Sequence, residues 1–273
     1  MTDRSKKLKQ LAKNDPVVRA VYKLASPISK YFSVEIKDIH NIPSEGGAML
    51  VGNHALLGID TWALLPELVA QTERFPRGMA LKSLFDIPLV GRTLEHIGMV
   101  PGERNSAIEL LQQDELVLTY PGGARDSLKN KSERYTLKWN GRKGFAHVAI
   151  LAQKPIIPIV GAGPDECFHL LFERGVLPMR GLSQNTLKVP LFIPLARRIP
   201  FSFLVGEPIA PPEFFPDSDP DTLPDLTHDF ARAVEEQTQS LLSTHASSYS
   251  ESLSKITSRQ RLRQLIQKIN STE

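Results

Sequence analysis

The chain of 273 residues contains one cysteine, Cys167. A single thiol excludes an intramolecular disulfide and a thiolate metal cluster, and it fits a reducing compartment. No stretch runs to the roughly 18 apolar residues that a bilayer-spanning helix needs, so no transmembrane helix is expected. The N-terminus is too polar for the apolar segment of a secretory leader. Aromatic residues make up only 7% of the chain and are not interleaved with the basic runs, which argues against stacking on nucleic acid. No H-E-x-x-H or comparable set supports a metal, and His40, His96, His147 and His169 stand alone as core or surface residues. Gly161-Ala162-Gly163 lacks a third glycine and runs into Pro164, a weak match to a dinucleotide loop.

What is present is an ordinary soluble composition, 41% hydrophobic and 23% charged, enough for one large core or two modest ones. The net charge of +3 is too small to imply a polyanion, but its distribution is uneven. Residues 1–37 carry nine Lys or Arg against three acids, and residues 251–273 carry five against two. Basic ends around a near-neutral body point to an anionic surface, either a membrane or RNA.

Helical periodicity is visible in Val18, Val21, Tyr22 and Ala25 behind a basic 3–13 segment, and again in Leu262, Leu265, Ile266 and Ile269 beside Arg259, Arg261, Arg263 and Lys268. Both ends therefore read as basic amphipathic helices. Between them, apolar strand-like runs (48–52, 79–83, 116–120, 156–160, 201–205) alternate with helical stretches. That alternation predicts an α/β fold, a mostly parallel central sheet flanked by helices. The expected organisation is an N-terminal basic helical segment (1–30), a central domain (31–245) and a flexible segment with a basic helix (246–273). Ser243–Ser252 is serine-rich and reads as flexible. Residues 170–200 are apolar and broken by prolines, a lid or membrane-facing lip on one reading and irregular core on the favoured one.

Two stretches carry candidate chemistry. In Val51-Gly52-Asn53-His54-Ala55-Leu56-Leu57-Gly58-Ile59-Asp60 a histidine ends a buried strand and an acid follows. Histidine is the side chain that changes charge near neutral pH, and a carboxylate on one ring nitrogen frees the other for a substrate hydroxyl. On one continuous helix, six positions turn the direction by about 600°, so His54 and Asp60 would diverge. Contact requires a break, which Gly58 can supply. The plain alternative is a core-capping histidine and an Asp60 that caps the next helix. The second stretch, Pro121-Gly122-Gly123-Ala124-Arg125-Asp126, follows another buried strand. It reads as an anion- or oxyanion-binding loop, or as a simple turn with a solvated arginine. Both stretches sit at carboxyl ends of expected parallel strands, where functional loops gather.

Taken together, these stretches resemble the glycerolipid acyltransferases, the PlsC-like or lysophospholipid acyltransferase superfamily. Asn53-His54 through Asp60 resembles the family's first motif, H-x4-D. Gly98-Met99-Val100-Pro101-Gly102-Glu103-Arg104 resembles the second, Tyr120–Asp126 the third, and Pro155-Ile156-Ile157-Pro158-Ile159-Val160 the fourth. The order and spacing agree across roughly 45–210. Five residues, not four, separate His54 from Asp60, and Gly122 stands where phospholipid-making members carry glutamate. Both departures, with Trp139-Asn140-Gly141-Arg142-Lys143-Gly144-Phe145, resemble the neutral-lipid branch: type 2 diacylglycerol acyltransferase and the plant phytyl ester synthases. Asp126 occupies a position where those relatives usually have glutamate. The hydrolase-like region of the plant enzymes is not matched, since the chain has no G-x-S-x-G elbow.

The resemblance implies acyl transfer from acyl-CoA or acyl carrier protein to a lipid alcohol, without a further cofactor. His54 would be the base and Asp60 its orienting partner. Gly122 and Gly123 would supply oxyanion donors, and Arg104 and Arg125 would hold anionic groups. The expected acceptor is neutral, diacylglycerol or a long-chain alcohol, with lysophospholipid acylation as the alternative. The implied partners are the donor thioester, the lipid acceptor and the cytoplasmic side of a membrane, bound peripherally. Competing classes are a lipid-binding scaffold without catalysis and a lipid hydrolase.

Overall fold

The computed structural model describes residues 16–179, 187–215 and 217–270. The basic 3–13 segment lies outside the described residues. The chain folds as α1 (Pro16–Tyr31), β1 (Glu35–Lys37), β2 (Ala48–Val51), α2 (Ile59–Thr72), β3 (Arg77–Ala80), α3 (Lys82–Phe85), α4 (Pro88–His96) and β4 (Val100–Pro101). It continues through α5 (Arg104–Gln112), β5 (Leu116–Thr119), α6 (Ala124–Ser127), α7 (Gly144–Ala152) and β6 (Ile156–Ala162). Then come β7 (His169–Met179), β8 (Leu187–Ile193), β9 (Ser202–Val205) and α8 (Leu223–Asn270).

Seven strands form one sheet in the order β1-β9-β6-β2-β5-β3-β4. The five from β6 to β4 are parallel; β9 runs antiparallel to β6 and pairs in parallel with β1. The mostly parallel sheet anticipated from the alternating pattern is thus present, with a reversed edge. β2 is buried along its whole length, as a continuous apolar run in a doubly covered sheet should be. Its side chains alternate between two cores. Met49 and Val51 join Val117, Ile156 and Val160 under α5, α7 and α8. Ala48 and Leu50 join Leu116, Leu118, Ile157 and Ile159 under α2. Pro158 is accommodated inside β6 because it sits at a hand-over: β2 pairs as far as Pro158, and β9 takes over from Ile159.

Two expectations are corrected. The serine-rich stretch is not irregular; it lies inside α8. Ser243, Ser247 and Ser252 each donate their hydroxyl to the carbonyl four residues earlier. Those bonds satisfy the hydroxyls within the helix, while His245, Ala246 and Tyr249 are buried on its inner face. The apolar 170–200 region, favoured as core, forms instead a separate two-stranded sheet, β7 with β8. Leu171, Leu191, Ile193 and Leu195 are exposed on and beside it. Alternation within a hairpin leaves one face without a partner, which composition alone cannot reveal.

At the N-terminal side, α1 docks on α2. The Ser29 hydroxyl donates to the Ala63 carbonyl at 2.7 Å, and Ala25 is buried. α8 is a helix of 48 residues; the side chains of its last part, including the Leu262–Ile269 stripe, lie outside the described residues. Among the described residues no helix is long and apolar enough to cross a membrane.

Candidate active site

The carboxyl ends of β2, β5 and β6 adjoin, since Val51 is in register with both Thr119 and Pro158. The segments leaving them build the site. Asn53 is buried and its amide makes a reciprocal pair with Gly161: Nδ2 donates to the carbonyl at 3.0 Å, and the Gly161 N–H donates to Oδ1 at 2.8 Å. That clamp ties the exit of β2 to β6 and fixes where His54 begins.

Between His54 and Asp60 the chain makes a single 3-10 turn, Leu56–Gly58, before α2. Leu57 (φ 59°) and Gly58 (φ 65°) are both left-handed. The break turns α2 so that its first-turn carboxylate faces back along the chain. Asp60 does not cap α2, as the plain reading of the sequence would have it; Gly58 occupies the cap. Asp60 Oδ2 instead takes His54 Nδ1 at 2.9 Å, and Oδ1 accepts the Ala55 N–H at 3.2 Å. Asp60 is buried, whereas a fifth of the His54 side chain remains exposed.

The His54 ring lies on Tyr120, with centroids 4.1 Å apart and planes 13° from parallel. The Tyr120 oxygen accepts the Thr61 hydroxyl at 3.0 Å, so the platform is itself anchored to α2. Burial opposes the charged imidazole, but the Asp60 carboxylate, helped by Asp126, outweighs it and holds the His54 pKa above 6.5. Burial and the adjacent Asp60 push the Tyr120 phenol well above 10, so it stays protonated.

Gly122 and Gly123 follow Tyr120. A Cβ on Gly122 would lie 2.4 Å from Asp126 Cβ and 2.9 Å from the Lys138 carbonyl oxygen. The chain passes too close there for any side chain, glutamate included. The Gly123 N–H donates to the Tyr120 carbonyl at 2.8 Å and closes the turn. Asp126, fully buried on α6, accepts the His54 backbone N–H at 2.7 Å through Oδ2.

His54 and Tyr120 form part of the wall of a cleft of ≈ 870 Å³. The rest of that wall is largely apolar, including Leu57, Trp62, Leu65, Met79, Leu84, Leu94, Ile97, Met99, Phe145 and Phe192. Its cations are Lys82, Arg104 and Arg142. Lys82 is paired with Glu103 at 2.6 Å. Arg104 opens α5 beside Gly144, and Arg142 lies beside Gly123 with its guanidinium donating to the Pro121 carbonyl at 3.1 Å. Arg125, by contrast, is half-buried on α6 and does not line the cleft. Of Arg125 and Arg142, the sequence points to the first as a binding residue, but it is Arg142, in the Arg142-Lys143-Gly144-Phe145 segment, that lines the cleft. Cys167 is buried, and burial with Asp165 nearby pushes its thiol up to about 12, so it holds its proton at neutral pH.

An acyltransferase family model matches residues 33–161. A bovine protein described as a "DGAT1/2-independent enzyme synthesizing storage lipids" is 34% identical over 137 residues, 50% of this chain and 41% of that protein. An uncharacterized protein of Mycobacterium tuberculosis is 29% identical over 215 residues, 74% of this chain and 58% of its own length. The chain thus spans about half the length of the curated relatives it matches. The crystal structure of the 1-acyl-sn-glycerophosphate acyltransferase PlsC from Thermotoga maritima superposes with a TM-score of 0.47 at 19% identity, over 86% of this chain and 84% of that one. Residues 33–161, in which the histidine and aspartate meet at the ends of a parallel sheet, are thus the part of the chain that is similar to the acyltransferase family.

Proposed function

We propose that the protein transfers a fatty acyl group from a thioester donor, acyl-CoA or acyl carrier protein, to the hydroxyl of a neutral lipid. The observation that carries this reading is the His54–Asp60 pair, Asp60 buried and the imidazole open to an apolar cleft. Asp60 holds Nδ1, which leaves Nε2 as the nitrogen that removes the acceptor's proton while its oxygen attacks the thioester carbonyl. The C–O bond forms, the C–S bond breaks, and the proton passes from His54 to the leaving thiolate. Asp60 stabilises the imidazolium in between. No enzyme-bound acyl group is needed, and the protonated Cys167 thiol fits that route.

Apolar lining suits acyl chains, and Arg104 with Arg142 suits the phosphates of the donor. The lack of space for a side chain at Gly122, where phospholipid-making relatives carry glutamate, supports a neutral acceptor such as diacylglycerol or a long-chain alcohol. The bovine relative's description, with its reference to storage lipids, agrees. Leu81 on the cleft wall is exposed, and exposed apolar residues follow the wall residues Leu84 and Phe192 closely in sequence: Ile87, Leu89 and Val90 after the first, Ile193 and Leu195 after the second. We read this rim as the part that meets a membrane surface.

The test is transfer from acyl-CoA to separate diacylglycerol, fatty alcohol and lysophosphatidate acceptors, with water as the null acceptor. Diacylglycerol or alcohol ester is expected, and His54→Ala should lower turnover by about 10²–10⁴-fold. Transfer to lysophosphatidate alone would replace the acceptor assignment, with Arg104 and Arg142 then holding the acceptor's phosphate. Free fatty acid as sole product would make the protein a hydrolase. Because the base must be neutral and its pKa lies above 6.5, kcat/KM should fall as pH drops through that region.

A further inference from the structure

A buried charged cluster lies behind the histidine, and the reaction scheme above leaves most of it unused. Asp126 belongs to α6, Lys129 follows that helix, and Asp165 stands in the 3-10 turn after β6. Their side chains are 0%, 3% and 4% exposed. Lys129 Nζ lies 3.4 Å from Asp126 Oδ1 and 3.1 Å from Asp165 Oδ2. Asp126 Oδ1 also accepts the Lys138 N–H at 3.0 Å, and its Oδ2 accepts the His54 N–H at 2.7 Å. Asp165 accepts the Tyr135 N–H at 3.2 Å, and the Tyr135 oxygen takes the Gly163 N–H at 3.2 Å. One ammonium thus draws together the segments that leave β2, β5 and β6.

Ionised groups removed from water are tolerated when they are paired and fully hydrogen-bonded. Asp126 accepts two backbone N–H groups and is ion-paired with the Lys129 ammonium at 3.4 Å. Its geometry is also specific: the carboxylate grips the backbone of the one residue whose ring lies over Tyr120, within a passage kept clear by Gly122. Neither Asp126 nor Lys129 lines the cleft, so neither touches substrate.

We propose that Asp126 is a positioning residue for His54, holding its backbone and adding a negative charge beside its ring, and that Lys129 is the counterion that sets how much of that charge the ring feels. The inference rests on His54 being the reacting group. The charged and titratable groups facing the ring are Asp60 from α2, Tyr120 from the end of β5, Asp126 from α6 and Lys129 beyond it. The two new members act with opposite sign. Asp126 favours the imidazolium and Lys129 disfavours it.

Asp126→Asn and Lys129→Met therefore have opposite expected effects. In Asp126→Asn the acid limb of kcat/KM moves to lower pH, by about 0.5–1 unit for a single nearby charge. In Lys129→Met it moves to higher pH, because Asp165, which accepts fewer hydrogen bonds than Asp126, takes up the compensating proton. Both should lower kcat by about tenfold or more while KM changes less than twofold. Asp126→Glu, which restores the charge, should return the limb to its original place. A His54 titration followed by NMR on the same variants reads the effect without turnover. A shifted titration with no acyl transfer would keep this inference and remove the reaction scheme. Transfer with an unmoved His54 titration in Asp126→Asn would overturn the inference and leave the scheme intact. A downward or absent shift in Lys129→Met would overturn the counterion role. Each sign is decisive alone, so a single variant that keeps a cooperative thermal transition suffices.

Discussion

The inner wall of the cleft and its outer rim are built on opposite principles. Behind the inner wall, buried polar groups are held in directed bonds: Asn53 to Gly161, Asp60 to His54 and Ala55, Asp126 to His54 and Lys138. At the rim, apolar side chains stand in the open, Leu89 at 79% exposure and Leu195 at 75%. The wall gives directed bonds to a few atoms, which is what placing a proton donor and acceptor demands. The rim offers apolar area without direction, the kind of surface that marks an interaction site. Precision is thus confined to the sheet's carboxyl end, and adaptability to the α3–α4 stretch and the β7–β8 sheet.

That contrast can be broken from the inside first. Asp60→Asn keeps the shape of the pair but allows the wrong imidazole tautomer, and turnover should drop by about 10²–10⁴-fold with the fold intact by circular dichroism. Full activity in Asp60→Asn would remove the pair's role. Gly122→Ala should come next. The added methyl meets Asp126 and the Lys138 carbonyl, so about 1–3 kcal/mol of stability is expected to be lost in thermal or urea unfolding. At the rim the effects should separate the other way. Leu89→Ser with Leu195→Ser is expected to leave the unfolding midpoint within error. The same pair should weaken sedimentation with lipid vesicles several-fold, and unchanged vesicle binding would assign the rim some other task.

The legible part of this architecture was the part encoded locally. Runs such as Ala48–Val51 and Leu116–Thr119 announce buried parallel strands by being apolar on both faces, and the observed bounds differ by a residue or two. The need for a break between His54 and Asp60 follows from helix geometry, and Gly58 supplies it. Non-local features escaped. Asp126 reaches a backbone 72 residues away, which no spacing rule anticipates. Arg125 and Arg142 look alike on paper; only the turn of α6 decides that the former is half-buried away from the cleft and the latter lines it. The serines of α8 read as flexible because the same hydroxyls favour loops when no helix is already packed to receive them.

The left-handed Leu57 has a consequence for anyone who evolves this protein for heat resistance. A branched side chain at φ 59° costs about 1–2 kcal/mol against glycine, so Leu57→Gly should raise the melting temperature. Selection for survival at high temperature would reach that position early. The winner would lose a greasy residue, 62% exposed, from the doorway beside the imidazole. Robustness and an apolar doorway would then be in direct competition at one codon.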